Sequence, residues 1–131
     1  MSEKRFLSPG TMSPPFGYSH IVDAAASRVI FISGQVPLNT DGDLVGKGDF
    51  EAQARQVFAN LSAALEAAGA GWNDVVKLNY FLTDIGELAT VRAIRDEYVD
   101  TERPPASTLV QVSALFSPEA MVEIEAVAIK G

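Results

Sequence analysis

The chain has 131 residues, 47% of them apolar and 21% charged, which are the proportions of one globular domain; a single domain over 1–131 is expected. The net charge is −7 with acidic residues scattered along the chain, so neither nucleic acid nor an anionic membrane surface finds the basic footprint it needs. Cysteine is absent, which excludes disulfides and thiolate metal sites and fits a reducing, cytoplasmic setting.

No apolar run approaches the ~20 residues that span a bilayer, and "MSEKRFLSPG" lacks the apolar segment of a signal peptide. The expected partner is a small molecule or a second copy of the chain. Residues 8–17, "SPGTMSPPFG", are too rich in Pro and Gly for regular structure. "YSHIVDAAASRVIFISGQVPL" then reads as two short strands joined by a turn near Ala25–Ser27. The second, Val29–Ser33, is β-branched and apolar enough to be buried. Residues 39–48, "NTDGDLVGKG", form a polar loop.

A helix follows. Phe50, Ala54, Val57, Phe58, Leu61, Ala64, Leu65 and Ala68 recur at the spacing of one buried face, with Asp49 as N-cap and Gly69 or Gly71 as the stop. "VVKLNYFLT", Val75–Thr83, is a strand. Asp84 and Glu87 have capping-box spacing and open a second helix to about Val99, closed before Pro104 and Pro105. Two last strands, about Thr108–Ala114 and Val122–Ile129, flank the turn "LFSPEA".

This order, ββαβαββ, is an α+β pattern in which both helices cover one face of a mixed sheet. The other face would carry apolar residues mixed with Gln111, Glu123 and Glu125, a surface suited to subunit association.

Several short motifs reduce to turn chemistry. "GDLVGKG" lacks the Gly-Lys-Ser/Thr ending of a phosphate loop, and "DGD" at 41–43 lacks the downstream Glu of a calcium loop. His20 is the one histidine; with no nucleophile elbow and no cysteine, neither a catalytic triad nor a zinc site is expected, and it reads as a polar strand residue.

Glu123 and Glu125 stand two apart on a strand and share a face. That face is either solvated or, given the apolar run "VEIEAVAI", partly desolvated, which would suit a carboxylate to positioning a water. On the second helix, Leu88, Val91, Ile94 and Tyr98 mark the buried stripe; Arg95 falls inside it and Arg92 at its edge. Such an arginine either snorkels over apolar neighbours or faces a subunit boundary or an anionic ligand.

The segments "FGYSHIV", "FISGQVPLN", "AQARQVFANLSAALEAAG", "DVVKLNYFLTD", "RPPAST" and "VEIEAVA" come in the order and spacing of the reactive intermediate deaminase (Rid, YjgF-like) family. The chain resembles that family from about Tyr18 to Ile129. The resemblance implies a chorismate-mutase-like fold, a homotrimer with clefts between subunits, and hydrolysis of small enamines or imines to a 2-oxo acid and ammonium without metal or organic cofactor. It assigns Tyr18 to the pocket wall, Ser33 and Gly34 of "SGQ" (Ser33–Gln35) to the cleft lining, and Glu123 to the attacking water.

The family's carboxylate-gripping Arg falls at Ser107, beside Thr108, and positions usually Asn and Tyr hold Arg92 and Arg95. Losing a bidentate Arg–carboxylate contact removes about 1.5–3 kcal/mol. Two readings follow. In one, Arg92 or Arg95 takes over the carboxylate and the chain is an imine deaminase. In the other, Ser107 marks a protein that binds a small carboxylate or imino acid without turnover. The acidic charge speaks against the ribonuclease and translation-inhibitor labels attached to the family.

Overall fold

The computed structural model describes residues 3–131; residues 1 and 2 of the expected domain lie outside the described residues. Helix α1 spans Phe50–Ala67. Asp49 caps it by accepting from the Ala52 amide at 3.1 Å, and Gly69 ends it in a left-handed conformation (φ +75°). Its stripe of Val57, Phe58, Leu61 and Leu65 is fully buried.

Among the described residues, six strands accompany two α-helices: β1 (Glu3–Leu7), β2 (Ile21–Ala25), β3 (Arg28–Gln35), β4 (Val75–Leu82), β5 (Ala106–Gln111) and β6 (Val122–Lys130), with α2 at Leu88–Arg95. The main sheet runs β3-β6-β4-β5; only β4 and β5 are parallel. Both helices pack on one face, against Leu78, Leu82, Ile124 and Ala126.

Four details differ from the sequence reading. β1 is an added strand, and it pairs with β2 as a separate antiparallel ribbon, so the order is βββαβαββ and β3 remains an edge of the main sheet. The second helix ends at Arg95 because the Arg95 carbonyl accepts from both Tyr98 and Val99 (2.9 and 3.0 Å), tightening the last turn. Asp84 accepts from the Gly86 amide at 2.8 Å, but Glu87 returns no bond, so a 3-10 turn precedes α2 in place of a capping box.

β5 starts at Ala106, once Pro105 has passed, and stops where β4 stops. Gln111 therefore stands opposite Leu82 on the helical side, where its Oε1 accepts from the Ile85 amide at 2.8 Å; it is no part of the open face.

Strand alternation gives the open face to Val29, Phe31 and Ser33 of β3, Glu123, Glu125 and Val127 of β6, Lys77, Asn79 and Phe81 of β4, and Thr108 and Val110 of β5. The strand read as buried is therefore buried on one face only: Ile32 is 8% exposed, but Phe31 is 78% exposed and Val29 54%, an apolar surface left bare beside two carboxylates.

Candidate functional site

The 230 Å³ cavity under α2 is built by periodicity. Leu88, Val91, Arg92 and Arg95 stand at the spacing of one helical face, and all four line it. Tyr80 of β4 and Ser107 and Leu109 of β5 form the sheet side, while Phe16 and Tyr18 close it from the Pro/Gly-rich segment.

That irregular segment is fixed to the loop-to-strand junction. The Ser19 amide donates to Pro105 O (3.1 Å) and the Ser19 hydroxyl to Pro104 O (2.6 Å). Because prolines have no N–H, their carbonyls are the groups left to anchor a neighbouring chain segment. Gly17 lets the backbone pass over Arg95: its φ is +77°, and a Cβ there would lie 2.1 Å from Nη2.

The two arginines differ. Arg95 has a side chain only 8% exposed, with Nε and Nη2 on Asp96 Oδ1 at 3.0 and 2.9 Å. Arg92 is half-buried with its guanidinium carbon 5.8 Å from the Phe16 ring centroid, a cation–π contact, and has no ion-pair partner among the described residues. Arg92, Arg95 and Asp96 leave one net positive charge beside Ser107, so the cavity favours an anion. Tyr80 is buried beneath; burial holds its phenol protonated well above the ordinary range, with the Arg95 charge opposing.

The structure thus gathers Tyr18, Arg92, Arg95 and Ser107 in one cavity. Ser33, Gly34, Thr108 and Glu123 lie on the open face of the sheet instead. The Thr108 hydroxyl accepts from Lys77 Nζ at 2.9 Å. Glu123 packs on Gly34, where a Cβ would lie 2.1 Å from Oε2. Glu125 accepts from Asn79 at 3.4 Å. His20 sits just before β2, its ring edge-on to Tyr18 with centroids 5.3 Å apart and Nε2 2.7 Å from Ser13 O.

Phe16 and Tyr80 were not anticipated as lining residues. The signal for Tyr80 was its place between Leu78 and Leu82 on the core-facing side of β4, where a phenol needs a partner that an aliphatic residue would not. Phe16, in a segment without periodicity, left none.

The chain is thus an α+β protein with a cationic cavity on one side of its sheet and a carboxylate-bearing apolar face on the other. The family model described as Endoribonuclease L-PSP matches residues 11–130, and the chain belongs to this family, also known as Rid or YjgF. Among curated relatives, a RutC family protein of Synechocystis is 41% identical over 80% of this chain and 81% of its own. A protein of Dermatophagoides farinae named 2-iminobutanoate/2-iminopropanoate deaminase is 32% identical over 98% of each chain. The crystal structure of the Rid protein YyfB of Yersinia pestis superposes with a TM-score of 0.87, at 41% identity, over 96% of this chain and 98% of that one.

Proposed function

We propose that this chain binds a small carboxylate in the cavity under α2 and, as a homotrimer whose neighbour completes the cleft, hydrolyses its enamine or imine to a 2-oxo acid and ammonium. The observation that carries this reading is the meeting of Arg92 and Arg95 with Ser107 and Tyr18 in one cavity. The guanidinium lost at Ser107 is replaced from the facing helix, so the carboxylate keeps a cationic partner. A relative named as an imine deaminase supports the reaction class.

Glu123 is the group assigned to the attacking water. In a single chain it is on the far side of the sheet from Arg95, so chemistry requires a second copy to bring its open face to the cavity. The bare surface around Phe31 and Val29 supports such an assembly. Water attacks the imine carbon, a proton moves to nitrogen, and ammonia leaves as the carbinolamine collapses to the ketone.

The same separation favours the alternative, binding without turnover, if assembly places Glu123 away from the ligand. The test generates 2-aminoacrylate and 2-iminobutanoate in situ and follows their decay. Acceleration by wild type, lost in Glu123→Gln and in Arg95→Met, is expected. Saturable binding of 2-oxobutanoate with no acceleration would select the alternative. The net charge of −7 gives neither reading any use for RNA.

A further inference from the structure

Tyr80 carries a hydroxyl that nothing among the described residues employs. The residue is 2% exposed and forms part of the cavity wall, yet its Oη has no hydrogen-bond partner among the described residues. Buried phenols ordinarily find one, and a core-facing strand position between Leu78 and Leu82 has no packing need for the oxygen. The phenol is a neutral donor at neutral pH, since burial opposes its ionisation.

Its neighbourhood can rearrange. Arg95 and Asp96 both act electrostatically on the phenol. Arg95 is held by Asp96 alone, a carboxylate with 47% of its side chain exposed, and no hydrogen bond engages its Nη1 among the described residues. An incoming carboxylate competes with a half-solvated partner for that guanidinium. The volume of 230 Å³ exceeds the about 150 Å³ of a cavity that takes benzene. A short oxo acid has room.

We propose that Tyr80 is a specificity-determining residue: with the ligand carboxylate on Arg92 and Arg95, its hydroxyl donates to the neutral acceptor on the adjacent carbon, an imine nitrogen or ketone oxygen. Arg95 turns from Asp96 toward the carboxylate as the ligand enters the cavity that both it and Tyr80 line. The inference rests on the cavity being the ligand site. It adds what the arginines cannot supply, which is discrimination between a 2-oxo or 2-imino acid and the plain acid.

Calorimetric titration of 2-oxobutanoate and of butanoate into wild type and Tyr80→Phe tests this, together with melting of the ligand-free proteins. The hydroxyl bond predicts about a three- to tenfold loss of affinity for 2-oxobutanoate in Tyr80→Phe. Butanoate, lacking the acceptor, should bind both proteins equally. The ligand-free variant should melt no lower than wild type, because it discards an unpaired group. An unchanged preference for 2-oxobutanoate over butanoate overturns the proposal, whether or not melting changes. Wild type that binds neither acid overturns the cavity as ligand site as well, so the two failures are distinct.

Discussion

Gly17 and Arg95 share their space: a Cβ on Gly17 would lie 2.1 Å from Arg95 Nη2 and 2.9 Å from Cζ. The buried guanidinium is therefore shaped by the absence of a side chain seventy-eight positions earlier in the sequence. Gly17→Ala meets two costs, a left-handed backbone (φ +77°) at about 1–2 kcal/mol and the displacement of Arg95. Gly42→Ala is the control, since Gly42 has φ +81° and nothing within 4 Å of its Cβ position. Both variants should melt lower than wild type by about 3–8 °C. Only Gly17→Ala should also weaken 2-oxobutanoate binding, measured by calorimetry.

Gly34 and Glu123 stand in the same relation on the other face. A Cβ at Gly34 would lie 2.1 Å from Glu123 Oε2, 2.8 Å from Cδ and 3.0 Å from Cγ, with no left-handed backbone to add strain. Gly34→Ala should therefore displace the carboxylate while hardly disturbing the fold. A shift of about 1 Å in a reacting group costs up to roughly 100-fold in rate. Imine hydrolysis should drop at least tenfold, with the melting temperature and ligand affinity near wild type. Equal loss of stability and activity would reject the assignment.

The sequence was most legible where one period decides the structure. The α1 stripe, its Asp49 cap and its glycine stop stand where the sequence sets them, and Arg95 lies in the α2 stripe where helix phase puts it, its guanidinium buried rather than snorkelling to solvent. The cavity was legible only in part. Arg92, Arg95 and Ser107 could be named from helix phase and motif, but Phe16 reaches it through a proline-rich segment fixed by Ser19. β1 carries no strand signal because "EKRFL" is short with three of its five residues charged, and its pairing partner β2 lies fourteen residues on. Gln111 is polar and so reads as part of an open face, whereas the parallel register with β4 sets it opposite Leu82 on the helical side, where the Ile85 amide satisfies it.

Ser107 is half-buried at the cavity edge and stands opposite Leu78 in the β4–β5 ladder. Ser107→Arg adds a fork-shaped cation at the sheet side of the same cavity. If the existing arginines already hold the carboxylate, a third cation crowds them, and hydrolysis of 2-iminobutanoate should change less than about threefold. If the site lacks a working clamp, the rate should rise by about ten- to 150-fold. Steady-state kinetics on both proteins decides between the deaminase and binding-only readings.

Arg55 joins α1 to the turn after α2. Its Nε is 3.1 Å from Glu51 Oε2, and Nη1 and Nη2 reach the two Glu97 oxygens at 3.0 and 3.2 Å. The Arg55 hydrogen bond holds the Glu97 carboxyl below its ordinary 4.5. A folded value below the unfolded one gives stability that is present above the unfolded value and lost as pH falls through the folded one. All three side chains are exposed, so the effect is small. Arg55→Met should melt slightly lower than wild type at neutral pH, and the gap should shrink as pH falls below the ordinary 4.5.

Phe31 is 78% exposed in the middle of β3, on the face that carries Glu123, and β3 is an edge of the main sheet. A large aromatic on an open apolar sheet face is the surface that the proposed homotrimer would cover. Burying it would contribute about 1.5–3 kcal/mol per subunit, whereas a carboxylate there would have to be desolvated unpaired. Phe31→Glu should therefore dissociate the assembly to monomers in light scattering. Because Phe31 faces away from the α1 core, each monomer should keep its helical circular dichroism. The monomer should also lose imine hydrolysis, since Arg95 and Glu123 of one chain lie on opposite sides of the sheet. A monomeric variant with full activity would show that one chain suffices and would refute the shared cleft.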